Sequence, residues 1–168
     1  MFGNIKSLKK HTKLTTAAAA LLALAALSST VQAATGPFAA LAGAWSGGGT
    51  ITTSDGAKER IRCRAVYNVG SSGANVDLRL RCASDSYNFE LQSNASYSNG
   101  AVTGTWNETT RGVGGSIEGS GSGSTIRVRV SGIISASLAL STVANQQSIS
   151  IQAPGTEMQN VAISLSRK

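Results

Sequence analysis

From residue 43 onward, apolar and polar residues alternate with a period of two, which is typical of β-strands that bury one face. The alternation is clearest over 60–67 and 76–82, where apolar residues occupy one face and arginines the other. Glycine, serine and asparagine interrupt it at intervals of about 8 to 12 residues, as in antiparallel all-β domains. The pattern predicts further strands over 43–53, 86–92, 101–108, around Ile117, 125–130, 134–140, 149–151 and 161–165, with one helical turn at 37–42.

These eight to ten short strands follow one another along the chain without an intervening long helix. A sheet of that size has to curl, stack or close, because open edges invite aggregation. Each strand has one apolar face, so the sheet buries one side and exposes the other. We therefore predict an all-β fold, a single antiparallel up-and-down β-barrel of eight to ten strands, with a β-sandwich as the alternative. The arginines on the polar faces argue against a membrane barrel.

Residues 1–33 have the pattern of a signal peptide. Four lysines precede an apolar run at 17–27, which is too short to span a bilayer, and Val31-Gln32-Ala33 supplies small residues at the positions that a signal peptidase reads. We expect cleavage near Ala33/Ala34 and a periplasmic or secreted bacterial protein; a short membrane anchor is the alternative. A flexible segment at 34–42 and a barrel domain at 43–168 would follow.

The charge of the chain changes once this leader is set aside. Four of the 15 basic residues lie in it, so the formal net charge falls from +7 for the whole chain to +3 for the rest. The only histidine, His11, also lies there. The modest remaining charge removes most support for a nucleic-acid partner, and we expect none.

Two cysteines, Cys63 and Cys82, lie in the part of the chain expected to be exported, where an even number of cysteines indicates a disulfide. They fall on the apolar faces of two predicted strands joined by the polar loop "NVGSSGAN". Antiparallel pairing across that loop brings residues 63 and 82 close to each other, within reach of a disulfide. The hairpin register and the cysteine positions therefore agree.

The residue types that most enzymes use are scarce in residues 34–168. Without a histidine, and with both cysteines oxidised, a Ser-His-Asp or Cys-His arrangement and the usual metal sites lack their groups. The eight carboxylates are scattered along the chain. Glu108 is the one that falls on the inward-facing side of the period-two alternation in its predicted strand. We expect a protein that is not an enzyme, with no catalytic residues, no metal and no cofactor.

Gly43-Ala44-Trp45 resembles the G-x-W signature of the lipocalin and calycin families. In those families an arginine on the last strand packs over the tryptophan and closes the barrel. Arg167 is the matching position here, so the resemblance implies a cation–π contact between Arg167 and Trp45 and a calycin-like barrel. A frayed basic terminus is the alternative for Arg167. The resemblance covers the two ends of the chain and the spacing of its predicted strands.

A second resemblance is to the small secreted barrels that bacteria use to inhibit metalloproteases. These proteins have an early G-x-W-like segment and one disulfide that spans about twenty residues, the layout of Cys63 and Cys82. They insert a flexible N-terminal trunk into the protease. The resemblance implies that residues 34–37 would serve as this trunk.

Two further groups of residues bear on function. Inward parity places Tyr67, Tyr87, Phe89 and Trp106 as candidate lining of a ligand cavity. The outward-facing positions of the two predicted strands over 60–67 and 76–82 form one basic patch, which consists of Arg60, Arg62, Arg64, Arg79 and Arg81. This patch would bind an anionic envelope component, or it is a solvated face without a binding role. We expect a monomeric barrel that binds a small apolar molecule. The alternatives are a protease-inhibitor-like protein and an envelope-interacting module.

Overall fold

The computed structural model describes residues 36–168, so the predicted signal peptide and the first two residues of the predicted N-terminal segment lie outside it. A 3-10 helix at Ala39–Leu41 precedes ten strands. No helix among the described residues is long and apolar enough to cross a membrane. The strands are β1 (Gly43–Thr53), β2 (Lys58–Val69), β3 (Asn75–Ala83), β4 (Asn88–Ser98), β5 (Ala101–Glu108), β6 (Val113–Ser122), β7 (Thr125–Gly132), β8 (Ala136–Val143), β9 (Gln146–Gln152) and β10 (Met158–Arg167).

Each strand pairs antiparallel with its neighbours in sequence, and β1 also pairs with β10. The sheet therefore closes into a ten-stranded up-and-down barrel, which confirms the predicted fold class at the upper limit of strand number. The sandwich alternative is excluded, because the ten strands form one closed sheet. The largest difference is in β4, predicted over 86–92 but formed by Asn88–Ser98. Its second half, "SNASYS", consists mostly of small polar residues that hide the alternation.

Alternate side chains along every strand point into the barrel, where the buried apolar ones form one core. Fully burying one large aliphatic or aromatic side chain contributes about 1.5 to 3 kcal/mol to the stability of the fold. The buried strand residues of the core include Trp45, Ile51, Ile61, Leu80, Val102, Trp106, Ile117, Ile126, Leu140, Ile149, Val161, Ile163 and Leu165.

The glycines that follow Trp45 allow β1 to approach β10 closely. A Cβ atom on Gly47 would lie 2.0 Å from the Ser164 carbonyl oxygen, and one on Gly49 would lie 1.9 Å from the Ala162 carbonyl oxygen. Both distances are far below van der Waals contact, so only glycine fits at these inward positions. Strand-interior glycines of this kind mark sharp coiling of the sheet. The glycine run therefore serves the closure of the barrel between its first and last strands.

The Cys63–Cys82 disulfide is present, as predicted. The two residues are directly opposed in the β2–β3 register, with their Cα atoms 4.1 Å apart. Both cysteines are buried on the inward face. The bridge thus lies inside the barrel and links the two strands that carry all five arginines of the predicted basic patch.

Candidate functional site

The barrel has two ends that differ in how they are covered. The covered end has the β2–β3, β4–β5, β6–β7 and β8–β9 turns together with residues 36–42. The opposite end has five connections: 54–57, 84–87, 109–112, 133–135 and 153–157. Because strands are antiparallel, the two sets of connections alternate along the chain. A molecule that enters the interior has to pass one of these ends.

At the covered end, the residues before β1 pack onto the barrel. Phe38 and Leu41 are 2% and 3% exposed, and the Trp45 indole N–H donates a hydrogen bond of 2.7 Å to the Leu41 carbonyl oxygen. The Gly36 and Phe38 backbone N–H groups donate to carbonyl oxygens of the β2–β3 turn at 2.8 and 3.1 Å. From Gly36 onward, the segment predicted over 34–42 therefore packs on the end of the barrel and is hydrogen-bonded to the β2–β3 turn.

Arg167 holds the same segment from the last strand. Its guanidinium carbon lies 4.3 Å from the centre of the Trp45 ring, the contact implied by the calycin resemblance. The guanidinium also donates hydrogen bonds to the carbonyl oxygens of Ala40, at 2.7 Å, and Ala42. Gly43 has a φ of 107°, in the region that favours glycine, and it turns the chain from this segment into β1. The Trp45–Arg167 pair is therefore both a stack and a clamp on the backbone.

A small polar network lies inside the barrel near the covered end. The Tyr67 hydroxyl donates a hydrogen bond of 2.8 Å to the Gln147 side-chain oxygen, and the Gln147 amide donates one of 3.4 Å to the Thr142 hydroxyl. All three residues are buried. Burial raises the pKa of the Tyr67 hydroxyl, and the hydrogen bond to Gln147 opposes this effect. Tyr67, a candidate for lining a ligand cavity, lies inside the barrel as part of this hydrogen-bonded group.

The interior is not packed to the same degree everywhere. Several apolar side chains at inward positions are half-buried rather than buried, among them Leu78, Leu91, Ala95, Val128 and Leu138. These residues pack against the core but are less completely covered than its buried members. Val128 and Leu138 also border an open groove of about 470 Å³ whose lining includes the outward Arg127 and Arg129.

The other predicted lining residues differ in position. Phe89 is half-buried at the inward face of β4, and Trp106 is 6% exposed on β5, where its indole N–H donates to the Ser131 carbonyl oxygen at 3.2 Å. Tyr87 does not belong to a strand, which corrects the prediction of a strand over 86–92. It lies in the 84–87 connection at the opposite end.

The Tyr87 hydroxyl donates a hydrogen bond of 2.8 Å to a Glu157 carboxylate oxygen. That bond, together with the negative charges of Glu157, Glu59 and Asp55, raises the pKa of the Tyr87 hydroxyl. The bond ties the 84–87 connection to the 153–157 connection. Tyr87 is therefore part of the rim of the opposite end.

Glu108 anchors the 109–112 turn at this same end. Its carboxylate accepts hydrogen bonds from the backbone N–H groups of Glu90, Thr110 and Arg111 at 2.9 to 3.1 Å and from the Thr110 hydroxyl. Burial alone would raise the pKa of Glu108, but these hydrogen bonds outweigh it and hold the pKa at about 2. A carboxylate that stays ionised and accepts several hydrogen bonds from the groups of a turn has a structural role, because those bonds stabilise the turn. The position of Glu108 therefore gives no sign of acid–base chemistry.

The basic patch lies on the outer face of the barrel, as parity predicted. Its five arginines are all exposed. Arg81 is directly opposite Arg64 in the β2–β3 register, and its guanidinium lies 2.9 Å from the Glu90 carboxylate. A groove of about 780 Å³ crosses this face and includes Arg62, Arg64 and Arg81 in its lining.

Two features of the site were not predicted from the sequence. The first is the polar pair formed by Gln147 and Thr142. Gln147 shares the parity of Ile149 and Ile151, and this is the signal by which it could have been found. The second is the cover formed by residues 36–42, whose contacts are with loops distant in sequence. Within residues 36–168, no group of three or more His, Cys, Asp or Glu side chains is placed to hold a metal ion.

Comparison with family models gives no match, and comparison with curated proteins gives none either. Among solved structures, the chain is similar to the crystal structure of Rv2717c from M. tuberculosis, with a TM-score of 0.61. The sequence identity is 13%, and the match covers 77% of this chain and 94% of that chain. At this identity, the similarity shows a shared closed antiparallel β-barrel fold.

Proposed function

We propose that this chain is an exported, calycin-like carrier that binds a small apolar molecule inside the barrel and is not an enzyme. The observation that carries the proposal is the set of half-buried apolar side chains at inward positions of β3 and β4, such as Leu78, Leu91 and Ala95. Apolar surface left accessible in this way gains free energy, about 25 cal/mol per Å², when an apolar ligand covers it.

The number of strands supports the same proposal. Barrels of about eight strands either fill with side chains or hold one small ligand, and the diameter grows with strand number. This barrel has ten strands, so it is wider than an eight-stranded barrel. An apolar cavity with a few polar groups is also the usual character of ligand sites in proteins.

The polar network near the covered end supplies those groups. Tyr67 and Gln147 lie at the end that residues 36–42 cover, so a ligand would direct its most polar atom toward them. The Trp45–Arg167 clamp beneath them keeps that end shut. Entry would then occur at the opposite end, between the connections at 84–87 and 109–112.

The disulfide and the signal-peptide pattern both support export, and export in turn supports a carrier function. The Cys63–Cys82 bridge is compatible with an oxidising compartment, and residues 1–33 have the pattern of a signal peptide. Apolar molecules need a carrier in such aqueous compartments. The lipocalin-like character of the proposal rests on the Trp45–Arg167 contact.

The protease-inhibitor alternative is less well supported. Its trunk would be residues 34–37, yet Pro37 is buried and the Gly36 N–H is bonded to the Ser72 carbonyl oxygen. Both residues would have to leave the barrel before they entered a protease cleft. We therefore rank ligand binding first.

The test is titration of mature protein (34–168) with N-phenyl-1-naphthylamine, an apolar fluorescent probe, followed by its emission and by quenching of tryptophan fluorescence. The variant Ala95→Phe fills the interior from a half-buried inward position. The matched control, Asn94→Phe, adds the same ring at the adjacent outward and exposed position. We expect probe affinity to fall about tenfold or more in A95F, the loss of roughly 1.4 kcal/mol, and to stay unchanged in N94F.

Two results would contradict the proposal: no probe binding by wild-type protein, or equal affinity in A95F and wild type. Native mass spectrometry of protein purified without detergent gives a second readout. A bound mass that disappears on denaturation would identify a natural ligand directly.

A further inference from the structure

We propose that the outer face of β2 and β3 is a second binding site, which takes a linear anionic polysaccharide along a row of arginines. The row consists of Arg60, Arg62, Arg64, Arg79 and Arg81. It lies on the opposite side of the sheet from the interior, so its occupant does not compete with an interior ligand.

The arginine row has a regular geometry. Arg60, Arg62 and Arg64 occupy successive outward positions on β2, and two residues of a strand span roughly 6.5 Å. On β3, Arg81 stands opposite Arg64, and Arg79 stands opposite Val66. The row therefore continues from one strand to the next without a gap. Its length and spacing suit an extended polymer that carries anionic groups at regular intervals.

The neighbouring strand leaves the row accessible. The outward residues of β1 beside it are small: Ser46 is paired with Arg64, Gly48 with Arg62 and Thr50 with Arg60. The groove of about 780 Å³ on this face is lined by Arg62, Arg64, Arg81 and Lys168, together with Glu90 and uncharged residues that include Ser46 and Phe89. Four basic side chains and one carboxylate therefore give the groove a net positive charge.

The charges of the row are largely uncompensated. Among the described residues, Arg81 is the one member of the row with a carboxylate within 4 Å, that of Glu90. Like charges on adjacent positions of paired strands destabilise each other. A bound polyanion would relieve this repulsion and gain several charge-assisted hydrogen bonds at once.

The same face is poorly suited to a membrane. Val66 is the one large hydrophobic side chain at an outward position within the row that is clearly exposed, at 44%. Apolar groups that enter the lipid are a main source of affinity in interfacial membrane binding. A narrow row of guanidinium groups with one valine fits sulfate or carboxylate groups on a chain better than it fits a flat lipid surface.

The experiment measures binding of size-defined heparin and of alginate oligosaccharides to mature protein (34–168) by isothermal titration calorimetry, from about 0.05 to 0.5 M salt. The variant is Arg62→Gln/Arg64→Gln. Its matched control is Arg127→Gln/Arg129→Gln, which removes the same charge from exposed outward positions of β7, where Glu118 is paired with Arg129. Circular dichroism confirms that each variant is folded.

We expect wild-type protein to bind both polysaccharides with an affinity that falls steeply as salt rises. The R62Q/R64Q variant should bind about tenfold or more weakly, because two exposed ionic contacts are lost from the centre of the row. The R127Q/R129Q variant should bind within about twofold of wild type, since its charges lie outside the site. The salt dependence of wild-type protein tests the proposal independently of any variant.

Four results would overturn the proposal. An equal loss of polysaccharide affinity in both variants would show that net charge alone drives binding. If wild-type protein does not bind polysaccharide at low salt, the proposed site does not exist. Binding to phosphatidylglycerol vesicles, but not to polysaccharide, that requires Arg62 and Arg64 would assign the face to a membrane. Self-association abolished by R62Q/R64Q, without polysaccharide binding, would assign it to a second copy of the chain.

Discussion

Replacing Arg167 by methionine tests how the barrel is closed. Methionine keeps much of the length of the side chain but removes its charge and its donors. The change deletes two hydrogen bonds to the backbone carbonyls of Ala40 and Ala42 and the stack on Trp45. All three contacts hold residues 36–42 over the covered end, so the loss should concentrate there.

The magnitude follows from these contacts. A hydrogen bond from a charged donor is worth about 1.5 kcal/mol at the lower end of its range, which suits the half-buried Arg167, and two are lost. The cation–π contact adds about 0.5 kcal/mol at a site of this exposure. Methionine recovers part of the packing, so the free energy of unfolding should fall by about 3 kcal/mol. For a domain of this size, the melting temperature should fall by about 10 °C.

The assay is urea unfolding followed by tryptophan fluorescence, with amide hydrogen exchange to locate the change. In R167M, exchange should accelerate first at the backbone N–H groups of Gly36 and Phe38, which are bonded to the β2–β3 turn. Arg127→Met, an exposed arginine on β7, is the control and should change stability by less than about 0.5 kcal/mol. If R167M unfolds like this control, Arg167 has no clamping role and our reasoning is wrong.

Three further substitutions test other parts of the barrel. Removal of the disulfide by Cys63→Ala/Cys82→Ala should cost about 3 kcal/mol from loop entropy over its 19-residue separation, and a loss below about 1 kcal/mol in urea unfolding would refute this. Glu108→Gln should cost about 2 kcal/mol at pH 7. Because the pKa of Glu108 is lowered from 4.5 to about 2, that difference should persist above pH 4.5 and vanish as pH falls toward 2; a pH-independent difference would contradict it. Gly49→Ala should cost about 3 kcal/mol or more, since its Cβ would lie 1.9 Å from a β10 carbonyl oxygen, whereas Gly70→Ala, with no atom closer than 3.7 Å, should be nearly neutral.

The strands could be predicted because the residues of each strand alternate between apolar and polar, and this alternation depends only on which face of that strand is buried. Alternation over 60–67 and 76–82 states which face is buried, and a slip of one residue would expose the whole apolar set. The cysteines fix the same register independently, and the β2–β3 pairing agrees with both. Closure of the sheet followed from strand number and from one-sided burial. These are properties that a sequence carries residue by residue.

The candidate site was harder to predict because its contacts are distant in sequence. The Tyr67–Gln147 bond joins residues 80 positions apart, and Arg167 reaches Ala40 across 127 positions. Tyr87 continued the alternation of the strand that follows it, yet its bond to Glu157 places it in a connection. Parity along one strand does not show which polar groups meet across the interior. Only the closed register of all ten strands does so.

The two ends of the barrel have different consequences for ligand exchange. At the covered end, a molecule would have to displace the buried Phe38 and Leu41 and break the contact between Trp45 and Arg167. At the opposite end, the 84–87 connection is held by two solvent-exposed bonds to carboxylates, from the Tyr87 hydroxyl to Glu157 and from the Ser86 backbone N–H to Glu59. Exposed contacts of this kind contribute little to stability and open readily. Tyr87→Phe should therefore speed probe release without changing the stability of the barrel, whereas R167M should lower stability. If R167M speeds release at equal stability and Y87F does not, the ligand exchanges through the N-terminal cover instead.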